Sequence, residues 1–132
     1  MMKKFILIAL SITFITGFDE VERKIEEGTY TGKFKVVYPS GKSCTGKTTI
    51  ELSHSTYTCT GNEKRFPAGG SGTYSIDNES KITFQDENMW AADFDWNLIL
   101  TGEYHYSFDG KKLKLSANKA GIGYYEYRLT KK

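Results

Sequence analysis

A chain of 132 residues, 39% of them hydrophobic and 26% charged, is sized for one small domain with a single core. Its two cysteines allow one disulfide at most, and its formal net charge of +2 gives no basic excess of the kind that phosphate neutralisation demands.

The chain opens with MMKKFILIALSITFITG. Lys3 and Lys4 precede an apolar run over 5–14, which predicts a secretory signal peptide over 1–17, too short to span a bilayer as a helix. Cleavage near Gly17 would give an exported product, periplasmic or secreted, with no stable membrane span. Ile15-Thr16-Gly17 resembles the residues ahead of the acylated cysteine in bacterial lipoprotein signals, but Phe18 stands at the acceptor position, so no lipoprotein is expected. Removing 1–17 takes away two of the 18 basic residues and none of the 16 acidic ones. The remaining balance excludes a partner held mainly through phosphates, and no nucleic acid is expected. Residues 18–27 are charged, with Val21 and Ile25 four apart, and predict a short helical lead-in.

From Gly28 the period changes to two, and 28–132 is expected to form the domain proper. Over 28–38, Tyr30, Phe34, Val36 and Tyr38 share a face opposite Lys33 and Lys35. The same alternation places Ile50 with Leu52, Tyr57 with Cys59, Tyr74 with Ile76, and Ile82 with Phe84. It continues through Leu98, Leu100, Tyr104 and Tyr106, then Leu113 and Leu115, then Tyr125, Tyr127 and Leu129. About eight strands and no interior helix are predicted. An Asp109-Gly110 turn would set Tyr106 against Leu113 and Tyr104 against Leu115; a turn over 77–80 would set Ile76 against Ile82 and Tyr74 against Phe84. The fold expected is an all-β, eight-stranded antiparallel up-and-down barrel, whose closure removes exposed edges; a two-sheet sandwich is the alternative.

Residues 41–48, GKSCTGKT, fit the P-loop pattern letter for letter. A P-loop needs a helix directly after it, and Thr48-Thr49-Ile50-Glu51-Leu52 continues as a strand, so no nucleotide is expected. In an up-and-down barrel alternate connections share an end. The short ones, 53–55, 77–80 and 109–110, fall at one end and the long ones, 39–47, 60–71, 85–96 and 117–123, at the other, where function is expected. Cys44 and Cys59 both fall near that long-looped mouth and are candidates for a disulfide, although a simple hairpin register does not oppose them.

Gly28-Thr29-Tyr30, the block Trp90-Ala91-Ala92-Asp93-Phe94-Asp95-Trp96 before Leu98-Ile99-Leu100, and the closing Tyr125-Glu126-Tyr127-Arg128-Leu129 give the chain a layout that resembles the lipocalin-like (calycin-type) barrels, in particular small exported bacterial ones. The resemblance implies an apolar ligand in the cup. It also implies a structural pairing at the closed end, in which Gly28 opens the first strand, Tyr30 stands in the place of a tryptophan, and Arg128 packs across that ring.

The candidate ligand-binding residues are Phe34, Tyr74, Trp90, Phe94, Trp96, Tyr104, Tyr106, Tyr125 and Tyr127. These aromatics either fill the barrel as its core or line a cup for a small hydrophobic or amphipathic ligand. Trp90, Phe94 and Trp96 either plug the mouth or serve as a gate or an anchor for a protein partner. Asp93 and Asp95 alone fall short of a calcium shell, so neither metal nor cofactor is expected. His54 and His105 lie on different surfaces with no nucleophile beside them, and no enzyme is expected.

Overall fold

The period-two pattern becomes eight antiparallel strands in a computed structural model, which describes residues 24–62, 64–77, 80–91 and 95–132. They are β1 (Gly28–Val37), β2 (Ser43–Ser53), β3 (Thr56–Cys59), β4 (Gly70–Ile76), β5 (Lys81–Asp86), β6 (Gly102–Phe108), β7 (Lys112–Lys119) and β8 (Gly123–Lys131). Each pairs with its sequence neighbour, and β1 also pairs with β8, so the sheet closes into an up-and-down barrel. Closure disposes of the two-sheet alternative.

Alternation decides which side chains enter. Tyr30, Phe34 and Val36 on β1, Tyr104, Tyr106 and Phe108 on β6, and Tyr125, Tyr127 and Leu129 on β8 are all buried. At the closed end the lead-in acts as a strap. Ile25 joins the core, the Tyr30 hydroxyl donates to the Glu26 carbonyl at 2.5 Å, and the Lys131 ammonium meets the Glu26 carboxylate at 2.7 Å. Residues 24–27 are irregular rather than helical, because these side bonds hold them stretched along the barrel base. The rest of the predicted lead-in, 18–23, and the predicted signal segment, 1–17, lie outside the described residues. Among the described residues no helix is long and apolar enough to cross a membrane.

The register corrects three expectations. The Ile76–Ile82 and Tyr74–Phe84 pairs occur as predicted, whereas Tyr106 faces Leu115 and Phe108 faces Leu113. The tight turn there is centred on Gly110-Lys111, since the Asp109 amide donates to the Lys112 carbonyl at 3.2 Å and the Asp109 carboxylate accepts from the amides of both lysines. The slip is by two residues, so every inward residue stays inward. Second, β2 begins at Ser43, and the connection over 38–42 is a tight turn; 120–122 is shorter still. All four connections share the mouth as expected, but only 60–69 and 87–101 are long. Third, 97–100 is not strand. Asp95 caps a 3-10 turn over Trp96–Leu98 by accepting from the Asn97 amide, and Leu98, Ile99 and Leu100 are buried consecutively as the loop crosses the barrel.

The P-loop-like stretch proves to be strand from Ser43 onward, and its second glycine has a packing role. The loop over 60–69 folds back onto β2 at Gly46, where a Cβ would sit 1.8 Å from the Phe66 carbonyl oxygen and 2.4 Å from the Asn62 amide nitrogen. Asn62 in turn organises this loop, accepting from the Phe66 amide at 3.1 Å and donating to the Phe66 carbonyl at 2.6 Å. Gly46→Ala is therefore expected to displace the loop and cost about 2 kcal/mol of stability, read as a lowered urea midpoint with an unchanged slope.

Candidate ligand-binding site

The barrel interior is filled by rings. Phe34 and Tyr127 lie 4.8 Å apart between centroids, Tyr127 and Tyr104 5.9 Å, Tyr104 and Phe84 6.0 Å, and Phe84 and Tyr57 4.8 Å. This continuous stack reaches from β1 through β8, β6 and β5 to β3. It favours the core reading of the inward aromatics, because rings in mutual contact leave no deep cup. Tyr30 packs edge-on against Phe108 at 5.8 Å, sealing the closed end.

The structure separates the predicted site residues. Tyr125 and Tyr104 stand toward the mouth, Tyr127 and Phe34 in the middle, and Tyr106 farther down against Leu115. Tyr74 is only partly buried and lies at the closed end, its phenol in the field of Glu27, so it does not belong with the mouth residues. Trp90 is partly buried on the core, and its indole nitrogen donates to the Asp86 carboxylate at 2.5 Å. Trp96 is 52% exposed and donates to the Ala91 carbonyl at 2.7 Å. Phe94 lies outside the described residues.

Two predicted structural pairings are absent. Arg128 does not reach Tyr30: β8 turns residues 125, 127 and 129 inward, so 128 projects from the outer wall, where it is ion-paired with Glu126. Gly28 does open β1, with φ +146°. Cys44 and Cys59 are both free thiols. Cys44 faces Val36 while Cys59 faces Ile50, so on β2 their levels are six residues, about 20 Å, apart, and no disulfide can form. Burial pushes the Cys59 thiol up to about 12, against hydrogen bonds to Thr48 and Tyr127.

One side of the mouth is walled by the two long loops. The Ala68 amide donates to the Leu98 carbonyl at 3.0 Å, the Leu100 amide donates to the Gly69 carbonyl at 2.8 Å, and the Tyr57 hydroxyl rises from β3 to the Leu100 carbonyl at 2.6 Å. Beside this wall, Cys59, Ala68, Asn88, Met89 and Trp90 line a cleft of about 340 Å³.

The other side holds a residue that pattern reading missed. Leu113, Leu115 and Ala117 alternate inward on β7, and the same parity turns Lys119 over the barrel. Its ammonium lies 4.7 Å from the Tyr125 ring centroid and 5.6 Å from that of Tyr104. Desolvation lowers its pKa. Beneath it, the Tyr104 and Tyr125 hydroxyls are buried without a hydrogen-bond partner; Tyr127 approaches Tyr104 but does not complete a bond in good geometry. Orphaned polar atoms of this kind are rare in folded interiors. Burial, with the fields of Asp95 and Tyr38, pushes the Tyr125 phenol up to about 12. Ala117, a small residue, faces Tyr125 across the β7–β8 pairing. A sequence reading that followed the β7 alternation one step further would have found Lys119. Among the described residues no group of His, Cys, Asp and Glu could hold a metal ion.

Comparison of the chain with protein-family models, with curated proteins and with solved structures finds no match.

Tyr104→Phe is expected to leave stability unchanged or raise it by about 1 kcal/mol, whereas Tyr57→Phe, which strands the Leu100 carbonyl, should lower it by about 1–2 kcal/mol in chemical denaturation. Burial raises the Tyr30 and Tyr125 phenols to about 12 from an unfolded value near 10. Their neutral forms are favoured by the fold, so that stability is complete below about pH 10 and is lost as pH climbs toward 12. Lys119 acts in the opposite sense, since its buried cation is penalised until it deprotonates. With the phenols in the majority, thermal midpoints should hold to about pH 9 and fall above pH 10.

Proposed function

We infer that this protein is an exported, non-enzymatic, lipocalin-like barrel that binds a small amphipathic molecule at its long-looped end. The closed barrel itself is compatible with such a role. The observation that carries the reading is the pair of partnerless phenols, Tyr104 and Tyr125, under the desolvated ammonium of Lys119. Two buried phenols without partners, beneath an ammonium stacked on their rings, suit a ligand whose anionic or hydroxylated head accepts from all three. The stacked rings below set the depth of the seat. The apolar part of the ligand must therefore lie across the rim, near the cleft under Met89 and Trp90, rather than down the barrel axis. Decanoate, a carboxylate on a short apolar tail, is a suitable probe. It is expected to bind the purified protein by calorimetry and to lose about tenfold in affinity in Lys119→Met; the same affinity in that variant would remove the basis of the reading.

A second reading has its own observation. Met89, Trp96 and Ile122, the large hydrophobic side chains exposed among the described residues, all lie on mouth connections. A filled barrel with an apolar rim suits a protein-interaction or inhibitor module in which Trp96 is the anchor. Because Trp96 is half exposed whereas Trp90 is tied to Asp86, Trp96→Ala is expected to keep the fold by circular dichroism; a decanoate affinity unaffected by it, with loss of a co-purifying protein, would favour this second reading.

A further inference from the structure

The outer wall of β7, β8, β1 and β2 carries cations at directly paired positions. Lys114 faces Arg128, Arg128 faces Lys33, and Lys33 faces Lys47. All four side chains are exposed. With strands about 4.8 Å apart, they form a row about 14 Å long. Like charges set directly opposite one another destabilise a sheet, so a chain of nearly balanced charge has concentrated them here at a cost. The other outward charges of these strands are Lys35 and Lys112 against Glu51 and Glu126. Glu126 is already engaged by Arg128, and among the described residues no salt bridge reaches Lys33, Lys47 or Lys114.

Two further features coincide with the row. Where it meets β6, the wall opens into a groove of about 480 Å³, whose polar lining is Ser107, Asp109, Lys112, Lys114, Arg128 and Thr130. The Asp109 carboxylate in it is occupied by its own turn, at 2.9 Å from the Lys111 amide and 2.7 Å from that of Lys112. One step along the strands runs a parallel row of hydroxyls: Thr130 faces Thr31 and Thr31 faces Thr49, with the last two oxygens 3.2 Å apart.

We propose that this wall binds a linear acidic polysaccharide, its carboxylates on the cation row and its sugar hydroxyls on the threonines. Shape distinguishes this partner from a membrane. Four adjacent strands of an eight-stranded barrel turn through about 135°, so a flat bilayer touches two of them while a flexible chain follows all four. Chemistry distinguishes it from single-stranded nucleic acid, which needs aromatic platforms for its bases; neither row contains an aromatic side chain.

The test is titration of the purified protein with alginate oligosaccharides by calorimetry. Binding is expected at low salt, weakening as salt rises. It should fall about tenfold in Lys33→Gln/Lys47→Gln and hold in Lys81→Gln, a lysine on β5 outside the row. The double variant should melt no lower than the parent, since it relieves an opposed pair of like charges. Lys119→Met should leave alginate binding untouched, which separates this wall from the mouth. Failure of alginate to bind at low salt would overturn the proposal, as would equal affinity in the double variant. Tighter binding of oligothymidylate, or of phosphatidylglycerol vesicles, through the same lysines would overturn it in favour of that partner.

Discussion

The pairing of β1 with β8 is the constraint from which the rest of the molecule follows. Eight strands with one apolar face, laid out as an open sheet, would leave two unpaired edges and that face uncovered. Joining Tyr30–Val37 to Tyr124–Lys131 removes both at once and gives every strand an inside and an outside. Phe34 and Tyr127, neighbours in that seam, then meet at 4.8 Å and begin the stack of rings that occupies the centre. The outside inherits its character from the same step, since the residues between those rings, Lys33 and Arg128, are brought face to face on the wall.

Much of this was legible from period-two alternation alone. The strand count, the antiparallel order, the closed form and the identity of the inward residues follow from apolar parity, which survives errors of register. The Tyr106–Leu115 pairing shows why: a slip of two leaves each side chain on its face, and only the turn chemistry of Asp109 reveals it. Alternation was less informative at strand ends. Ser43, Cys44 and Thr45 are weakly apolar, so β2 reads as loop until its pairing with Val36 and Val37 is seen. Conversely, Asn97-Leu98-Ile99-Leu100 reads as strand, yet is buried by loop closure against Gly69 rather than by a pleat.

The candidate site was only partly legible for a related reason. Parity says that Tyr104 and Tyr125 point inward, but whether a phenol finds a partner depends on tertiary distances that no spacing encodes. Lys119 obeys parity too, and escapes because 117–123 reads as a loop whereas β7 continues to Lys119. The arginine that family likeness assigns to the Tyr30 ring is put on the outer wall by the same alternation that turns the tyrosines inward. Local alternation was the stronger guide there, since it is enforced by backbone geometry at every residue.

The separation of the two thiols has a consequence for the conditions under which the chain can work. Since no covalent link joins distant parts of the sequence, acquiring the native state demands no oxidant and keeping it demands no protection from reductants. Stability rests on close contact between rings and aliphatic groups. Chemical modification from solvent would meet Cys44, which is partly accessible at the mouth, well before Cys59, which is enclosed beside Thr48.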